Sequence, residues 1–366
     1  MSSVDDSRSS PGQRIDEVGE FGLIERLRNR LGDRGREGDE VLLSIGDDAA
    51  CIRDLPNRDR LLTNDIQIAG RHFIPAAMSA SDIGSRCVTV CVSDVFAMGG
   101  RPDHLLISLG LPGNFLVSRA EELYDGVRTE CEHWNCGVLG GNVARSDGPW
   151  FVDITVVGSV RRDGAVPRSG AQVGDTIWVS GFPGSSGIGL ALVKMAIGQN
   201  DGGSLGSARS ELRSFVEEHP WSTSFLNAYL RPQLRGEFAL ALGESSIATA
   251  MLDISDGWGA DLRNLAVASS VQGAVRLADL PRSPHLLEAC AKLGLDIERT
   301  LLSPSDDYEI LWTAPPQLDS QVIELANSWS VPCTPIGRIE QGQGEVRLQD
   351  VPEARTSAEG WDHFSK

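Results

Sequence analysis

Short apolar runs of strand length alternate with helix-period segments through both halves of the chain, and several of the runs stop at an aspartate. A run of about four to eight apolar or β-branched residues suits a strand buried in a sheet, whereas apolar residues three and four apart give a helix one buried stripe. Alternation of the two is the pattern of α/β architecture. Phe21, Ile24, Leu27 and Leu31 have helical spacing and predict a helix over 16–31. Strands follow at 41–45 and 60–62, a helix at 81–98 closed by Gly99-Gly100-Arg101-Pro102, and a strand at 105–111. An amphipathic helix at 119–136 leads through a strand into a Gly140-Gly141-Asn142 turn, and 151–160 reads as another strand.

The second half repeats the alternation. A strand at 176–180 runs into the Gly-rich stretch 181–187, which opens a helix at 188–197. A strand at 249–254, a helix at 259–270 and strands near 309–313 and 346–348 follow. A length of 366 residues fits two domains of ordinary size. The expected organisation is a polar, disordered leader over 1–14, an N-terminal domain over 15–165, and a C-terminal α/β domain over 166–366 with a loose Gly/Ser-rich insertion at 199–210.

Charge narrows the function. A net charge of −18 argues against nucleic acid as a partner, because phosphate-backbone binding needs clustered Lys and Arg. Seven cysteines form no C-x-x-C pair and are odd in number, which predicts reduced, mostly buried thiols in a cytoplasmic protein. No stretch approaches the ~20 apolar residues of a membrane span, and 1–14 lacks the apolar core of a secretory signal.

The aspartates carry the chemistry. Asp47, Asp48, Asp65, Asp94, Asp253 and Asp256 all stand where an apolar run stops. Several carboxylates converging on one cleft repel one another unless a cation joins them, and Mg²⁺ prefers oxygen ligands that it shares with substrate phosphates. Capping is the competing role for any single aspartate, and Asp82 and Asp261 read as caps. The stretch 181–187 could present backbone N–H groups to a phosphate, although as a lone signal it reads first as a tight strand-to-helix turn. The P-loop pattern G-x-x-x-x-G-K-[ST] is absent. His72 beside Phe73 and Trp361 near the C-terminus suit packing as well as ligand contact.

Taken together these segments resemble the thiamine-monophosphate kinase family, in the superfamily of aminoimidazole ribonucleotide synthetase and selenophosphate synthetase. The matching pieces are Ile45-Gly46-Asp47-Asp48-Ala49, Thr63-Asn64-Asp65 with Gly70-Arg71-His72-Phe73, Val92-Ser93-Asp94, Gly140-Gly141-Asn142, Arg168-Ser169-Gly170-Ala171, Asp253-Ile254-Ser255-Asp256-Gly257, Asp306-Asp307-Tyr308-Glu309 and Gly360-Trp361-Asp362-His363-Phe364. The resemblance implies a two-domain α/β (α+β) fold and a homodimer joined through the N-terminal domain. It implies transfer of the ATP γ-phosphate to thiamine monophosphate. Mg²⁺ would be held by Asp48, Asp65, Asp94, Asp253 and Asp256, with Thr63, Asn64 and Asn142 as further metal-site residues. Gly140, Gly141, Arg168 and Ser255 would contact ATP, Asp65 and Arg168 would be catalytic, and His72, Asp306 and Trp361 would line the acceptor site. Three motifs depart from the family pattern. Asn142 replaces the aspartate of Gly-Gly-Asp, Asn64 stands where a hydroxyl is usual, and Pro304-Ser305-Asp306-Asp307 replaces Gly-Gly-Glu-Asp. A related phosphotransferase or ATP-dependent ligase with another acceptor, and a non-catalytic nucleotide-binding protein, are the competing readings.

Overall fold

The computed structural model describes residues 12–32, 41–45, 49–198 and 207–350. Helix α1 (Ile15–Leu31) is broken at Gly19, which takes φ 70, and buries Leu23, Leu27 and Leu31. The stripe therefore differs from the expected one. Phe21 lies two residues from Leu23, on the far side of the helix, and is 83% exposed. Gln13 and Arg14, inside the expected leader, pair with the start of α3 (Val117–Trp134): the Val117 N–H donates to the Gln13 carbonyl at 2.9 Å.

After the small ladder of β1 (Val41–Leu43) and β2 (Cys51–Ile52), the N-terminal half builds a four-stranded sheet. Its members are β3 (Arg58–Ile68), β4 (Arg101–Leu111), β5 (Gly137–Arg145) and β6 (Phe151–Arg161), in the order β3-β6-β4-β5. Helix α2 (Ala80–Ala97) packs on one face of this sheet and α3 packs on α2. Ser79 and Asp82 form a reciprocal capping box at the start of α2, so the capping role read for Asp82 is what the structure contains. Gly84 and Gly126 let α2 and α3 approach closely, since a Cβ at Gly84 would fall 1.9 Å from the Leu123 carbonyl oxygen.

The C-terminal half holds a six-stranded sheet in the order β12-β9-β11-β7-β10-β8. The strands are β7 (Thr176–Ser180), β8 (Ala250–Asp253), β9 (Val271–Val275), β10 (Ile310–Ala314), β11 (Cys333–Gln341) and β12 (Val346–Leu348). Helices α4 (Ser185–Gly198), α5 (Ser207–Glu218), α6 (Ser222–Leu230), α7 (Gly236–Ser245), α8 (Trp258–Ser269), α9 (Leu286–Leu293), α10 (Ile297–Leu302) and α11 (Asp319–Ser328) surround it. Residues 207–210, expected in a loose insertion, form the first turn of α5.

One helix belongs to both halves. Fourteen residues of α2 are buried, and the core around it takes in Val92 and Phe96 together with Trp178, Phe238, Met251 and Trp312. Such a helix must be apolar nearly all round, as its run of Val, Cys and Ala residues is. The seven cysteines are unbridged thiols, five of them buried. Among the described residues no helix is long and apolar enough to cross a membrane.

Candidate active site

Where α2, β3 and β8 meet, a cleft of about 450 Å³ opens between the two halves. Thr63 and Asp94 line it from the N-terminal side, Arg168 and Asp253 from the C-terminal side, over an apolar floor that includes Met98 and Met251. The candidate acids and Thr63 come from different backbone settings. Thr63 and Asp65 are two apart in β3 and so share the face turned toward α2. Asp94 lies in the last turn of α2 and Asp253 is the final residue of β8. Only Asp253 stands at the end of its element. Thr63, Asn64 and Asp65 lie inside an 11-residue strand and Asp94 lies within a helix, contrary to the reading that their apolar runs stop there.

Two neighbouring hydroxyls and one amide fix the carboxylates. Thr63 Oγ1 donates to Asp94 Oδ2 at 2.6 Å, Ser93 Oγ donates to Asp253 Oδ2 at 2.6 Å, and Gln67 Nε2 donates to Asp65 Oδ2 at 2.8 Å. Burial, then the charge of Asp94, pushes the Asp65 carboxyl up to about 6. The same two causes, in the same order, push Asp253 upward, with Arg168 acting in the opposite sense. These acids carry a repulsion that a bound cation would relieve.

Among the described residues no group of three His, Cys, Asp or Glu side chains forms a ready-made metal cage. Mg²⁺ usually takes one or two carboxylates and completes its shell with water and phosphate oxygens. The donor set of Thr63, Asp94 and Asp253 consists of hard oxygens and fits such an ion.

The loop after β8 is built by a residue that had read as a simple cap. Asp261 of α8 accepts the Ser255 and Asp256 N–H groups, each at 3.0 Å, and so shapes the turn that carries both candidate residues. Burial, with the nearby Asp253 and Asp256, pushes its carboxyl up to about 8.

Other expected residues lie elsewhere. Gly140, Gly141 and Asn142 are inside β5, not in a turn, and line a separate cavity of about 70 Å³ beside Leu27 and Tyr124. Strands β3 and β5 are opposite edges of the sheet, three strand spacings or about 14 Å apart, so this motif does not join Thr63 within one chain. Asn64 points to the other face of β3 and donates to Thr155 Oγ1 at 3.0 Å. His72 accepts the Ile68 N–H through Nδ1 at 3.0 Å in the turn after β3. Asp48 and Trp361 lie outside the described residues.

The Gly-rich turn 181–187 meets carboxylates of its own chain. Asp307 accepts the Gly184 N–H at 2.7 Å and the Ser186 N–H at 2.8 Å. A Cβ on Gly181, where φ is 57, would fall 1.9 Å from Glu309 Oε1. Arg235 grips Glu309 with two hydrogen bonds, at 2.8 and 3.0 Å. Asp306 accepts from Ser186 Oγ at 2.6 Å and from the guanidinium of Arg86. Sequence reasoning missed Arg86 and Arg235. A cation inside an apolar helix was the available signal for Arg86; nothing in the sequence marks Arg235.

Two family models match the chain: AIR synthase related protein, N-terminal domain, over residues 46–160, and AIR synthase related protein, C-terminal domain, over 172–349. A thiamine-monophosphate kinase of Aquifex aeolicus is 32% identical over 351 residues, 96% of this chain and 100% of that protein. The thiamine-monophosphate kinase of Escherichia coli K12 is 31% identical over 356 residues, 95% of this chain and 98% of that one. Among solved structures, the thiamine-monophosphate kinase of Stenotrophomonas maltophilia superposes with a TM-score of 0.76 at 33% identity, covering 88% of this chain and 96% of that one. AaThiL complexed with AMPPCP and TMP superposes with a TM-score of 0.69 at 31% identity, covering 97% and 100%. The hydrogenase maturation protein HypE, at 16% identity and a TM-score of 0.61 over 89% of this chain and 90% of that one, shares the fold.

Proposed function

The chain belongs to the thiamine-monophosphate kinase family of AIR synthase related proteins, and from that premise we propose that it transfers the γ-phosphate of ATP to thiamine monophosphate in the cleft between its two halves. The observation that carries this reading is the cleft itself, in which Thr63, Asp94 and Asp253 offer hard oxygens beside the exposed guanidinium-bearing Arg168.

The chemistry asks little of a general base. The attacking atom is a phosphate oxygen, anionic at neutral pH, so catalysis rests on in-line positioning and charge neutralisation. Asp65, Asp94, Asp253 and Asp256, with Asp48, are the residues that would hold Mg²⁺, which when bound neutralises phosphate oxygens. Arg168 adds a positive charge on the opposite wall. Thr63 and Ser93 hold the acids of α2 and β8 in place before substrate arrives, and Asp261 fixes the loop of Ser255 and Asp256. His72, Asp306 and Trp361 form the acceptor side of this proposal.

A homodimer through the N-terminal half is part of the same reading. Helices cover one face of the four-stranded sheet, while Leu62, Ile66 and Leu106 on the other are 72%, 40% and 39% exposed. A sheet face that exposes large apolar side chains such as these calls for a second layer. The experiment that tests the activity is ADP release from Mg²⁺-ATP with and without thiamine monophosphate, with the product identified by mass. Thiamine diphosphate formed at a catalytic rate supports the proposal. ATP turnover without it would move attention to another acceptor, as the altered motif at 304–307 allows.

A further inference from the structure

The segment 303–309 is clamped from three directions. Asp307 is held by the start of α4, through the Gly184 and Ser186 N–H groups. Glu309 is held by Arg235, which precedes α7. Both anchors belong to the C-terminal half. Asp306 is the exception, because its carboxylate also reaches Arg86 of α2, 220 residues away in sequence and in the other half.

Arg86 is 2% exposed, whereas the Asp306 side chain remains 27% exposed. The pair is thus a buried cation ending in a carboxylate that a ligand can reach. The guanidinium also donates to the Tyr229 carbonyl, and its carbon lies 5.1 and 5.8 Å from the ring centroids of Tyr229 and Tyr308. Tyr308 itself has φ 54, a conformation that a non-glycine residue keeps only where its surroundings hold it. Its N–H donates to the Ile254 carbonyl at 2.8 Å, so the segment is also stitched to the loop that follows Asp253.

We propose that Arg86 is a positioning residue: by gripping Asp306 it ties segment 303–309 to the helix that carries Asp94, and so fixes the acceptor side of the site relative to the phosphoryl-transfer cleft. Arg86 and Asp94 are eight residues apart on α2, about 12 Å at 1.5 Å per residue, so one rigid helix sets their separation. The planar fork of arginine meets the Asp306 carboxylate, the Tyr229 carbonyl and two ring faces together. A lysine ammonium can keep the ion pair while losing the rest of that set. The role assigned to the acceptor rests on the proposed function; the anchoring of the segment does not.

The test uses Arg86→Met and Arg86→Lys in the full chain, with two readouts. Hydrogen exchange should accelerate at least tenfold at Ser186 and across 305–308 in Arg86→Met, with β7 and β10 unchanged and Arg86→Lys intermediate. In steady-state kinetics, Arg86→Met should raise KM for thiamine monophosphate at least tenfold while KM for ATP stays within twofold, with partial rescue by lysine. Exchange that is unchanged, or that rises uniformly over the chain, overturns the anchoring role. A loosened segment with unchanged KM for thiamine monophosphate overturns the coupling to the acceptor. Wild-type protein that forms no thiamine diphosphate defeats the proposed function instead, and the exchange measurement then still decides whether Arg86 holds the segment.

Discussion

The Asp307 carboxylate accepts the Ser186 N–H at 2.8 Å, and with the Gly184 N–H on its other oxygen it fills from within the helix N-terminus that a phosphate could have used. Strand β7 and helix α4 therefore present an occupied turn. The proposed anion site is instead the cleft lined by Thr63, Asp94, Arg168 and Asp253.

Asp307→Ala is expected to destabilise the protein by about 2–3 kcal/mol, because it strands two buried N–H donors and the Ser305 hydroxyl, which now donates to it at 2.6 Å. Urea unfolding with an unchanged m-value checks this. A loss below roughly 0.5 kcal/mol would mean that water replaces the carboxylate at little cost.

Asp65→Asn separates chemistry from folding. Phosphotransfer should fall at least about a hundredfold. Thermal stability without Mg²⁺ should hold or rise, since the substitution removes a carboxylate strained by burial and by Asp94. Turnover equal to wild type would remove Asp65 from the site.

The stabilisation by Mg²⁺ should depend on pH. Folded Asp65 keeps its proton up to about pH 6, whereas the unfolded chain releases it near 3.8. The folded state therefore binds more protons across that window, and its contribution is fully present below it and lost as pH rises through it. Asp253 is shifted in the same direction. Without metal the contribution of these acids should lower the melting temperature as pH rises from 5 to 7. Mg²⁺ binds the deprotonated carboxylates, so the stabilisation it adds should grow over the same interval. A Mg²⁺ increment independent of pH would contradict the assignment.

Arg168→Ala should raise KM for ATP about tenfold or more. Arg168 is exposed, so stability should stay within about 0.5 kcal/mol of wild type. Parallel losses in both quantities would assign the residue to folding.

Leu62→Glu places a charge on the open sheet face, in the edge strand β3, where Leu62 is 72% exposed. Sedimentation should show wild type as a dimer and the variant as a folded monomer with an unaltered far-UV spectrum. A monomeric wild type would refute the dimer.

Local periodicity made much of the fold legible. Residues 176–180 and 346–348 are strands with the boundaries read from sequence, and α2 begins and ends within one residue of its expected span. What failed was the position of motifs within elements. Gly140-Gly141 read as a turn, yet as part of β5 it pairs with Leu106 and Ile107 of β4. Phe21 fitted the stripe of α1 by spacing alone, and Gly19 interrupts the helix two residues before it. The β9 and β11 strands and helices α6, α7, α9, α10 and α11 went unread, because neither their alternation nor their stop signals stood out from the flanking sequence.

The sequence by itself determined the alternating α/β pattern, the family, and a set of candidate acids, since each is a matter of residue type and near-neighbour spacing. Only the tertiary structure decided which acids open on a cleft and which are consumed internally. Asp94 and Asp253 open on a cleft, Asp307 and Glu309 are satisfied by their own chain, and Asp306 is shared among Ser186, Arg86 and solvent. The physical reason is that a carboxylate's role follows from the donors folding brings to it, and those here come from as far as 220 residues away.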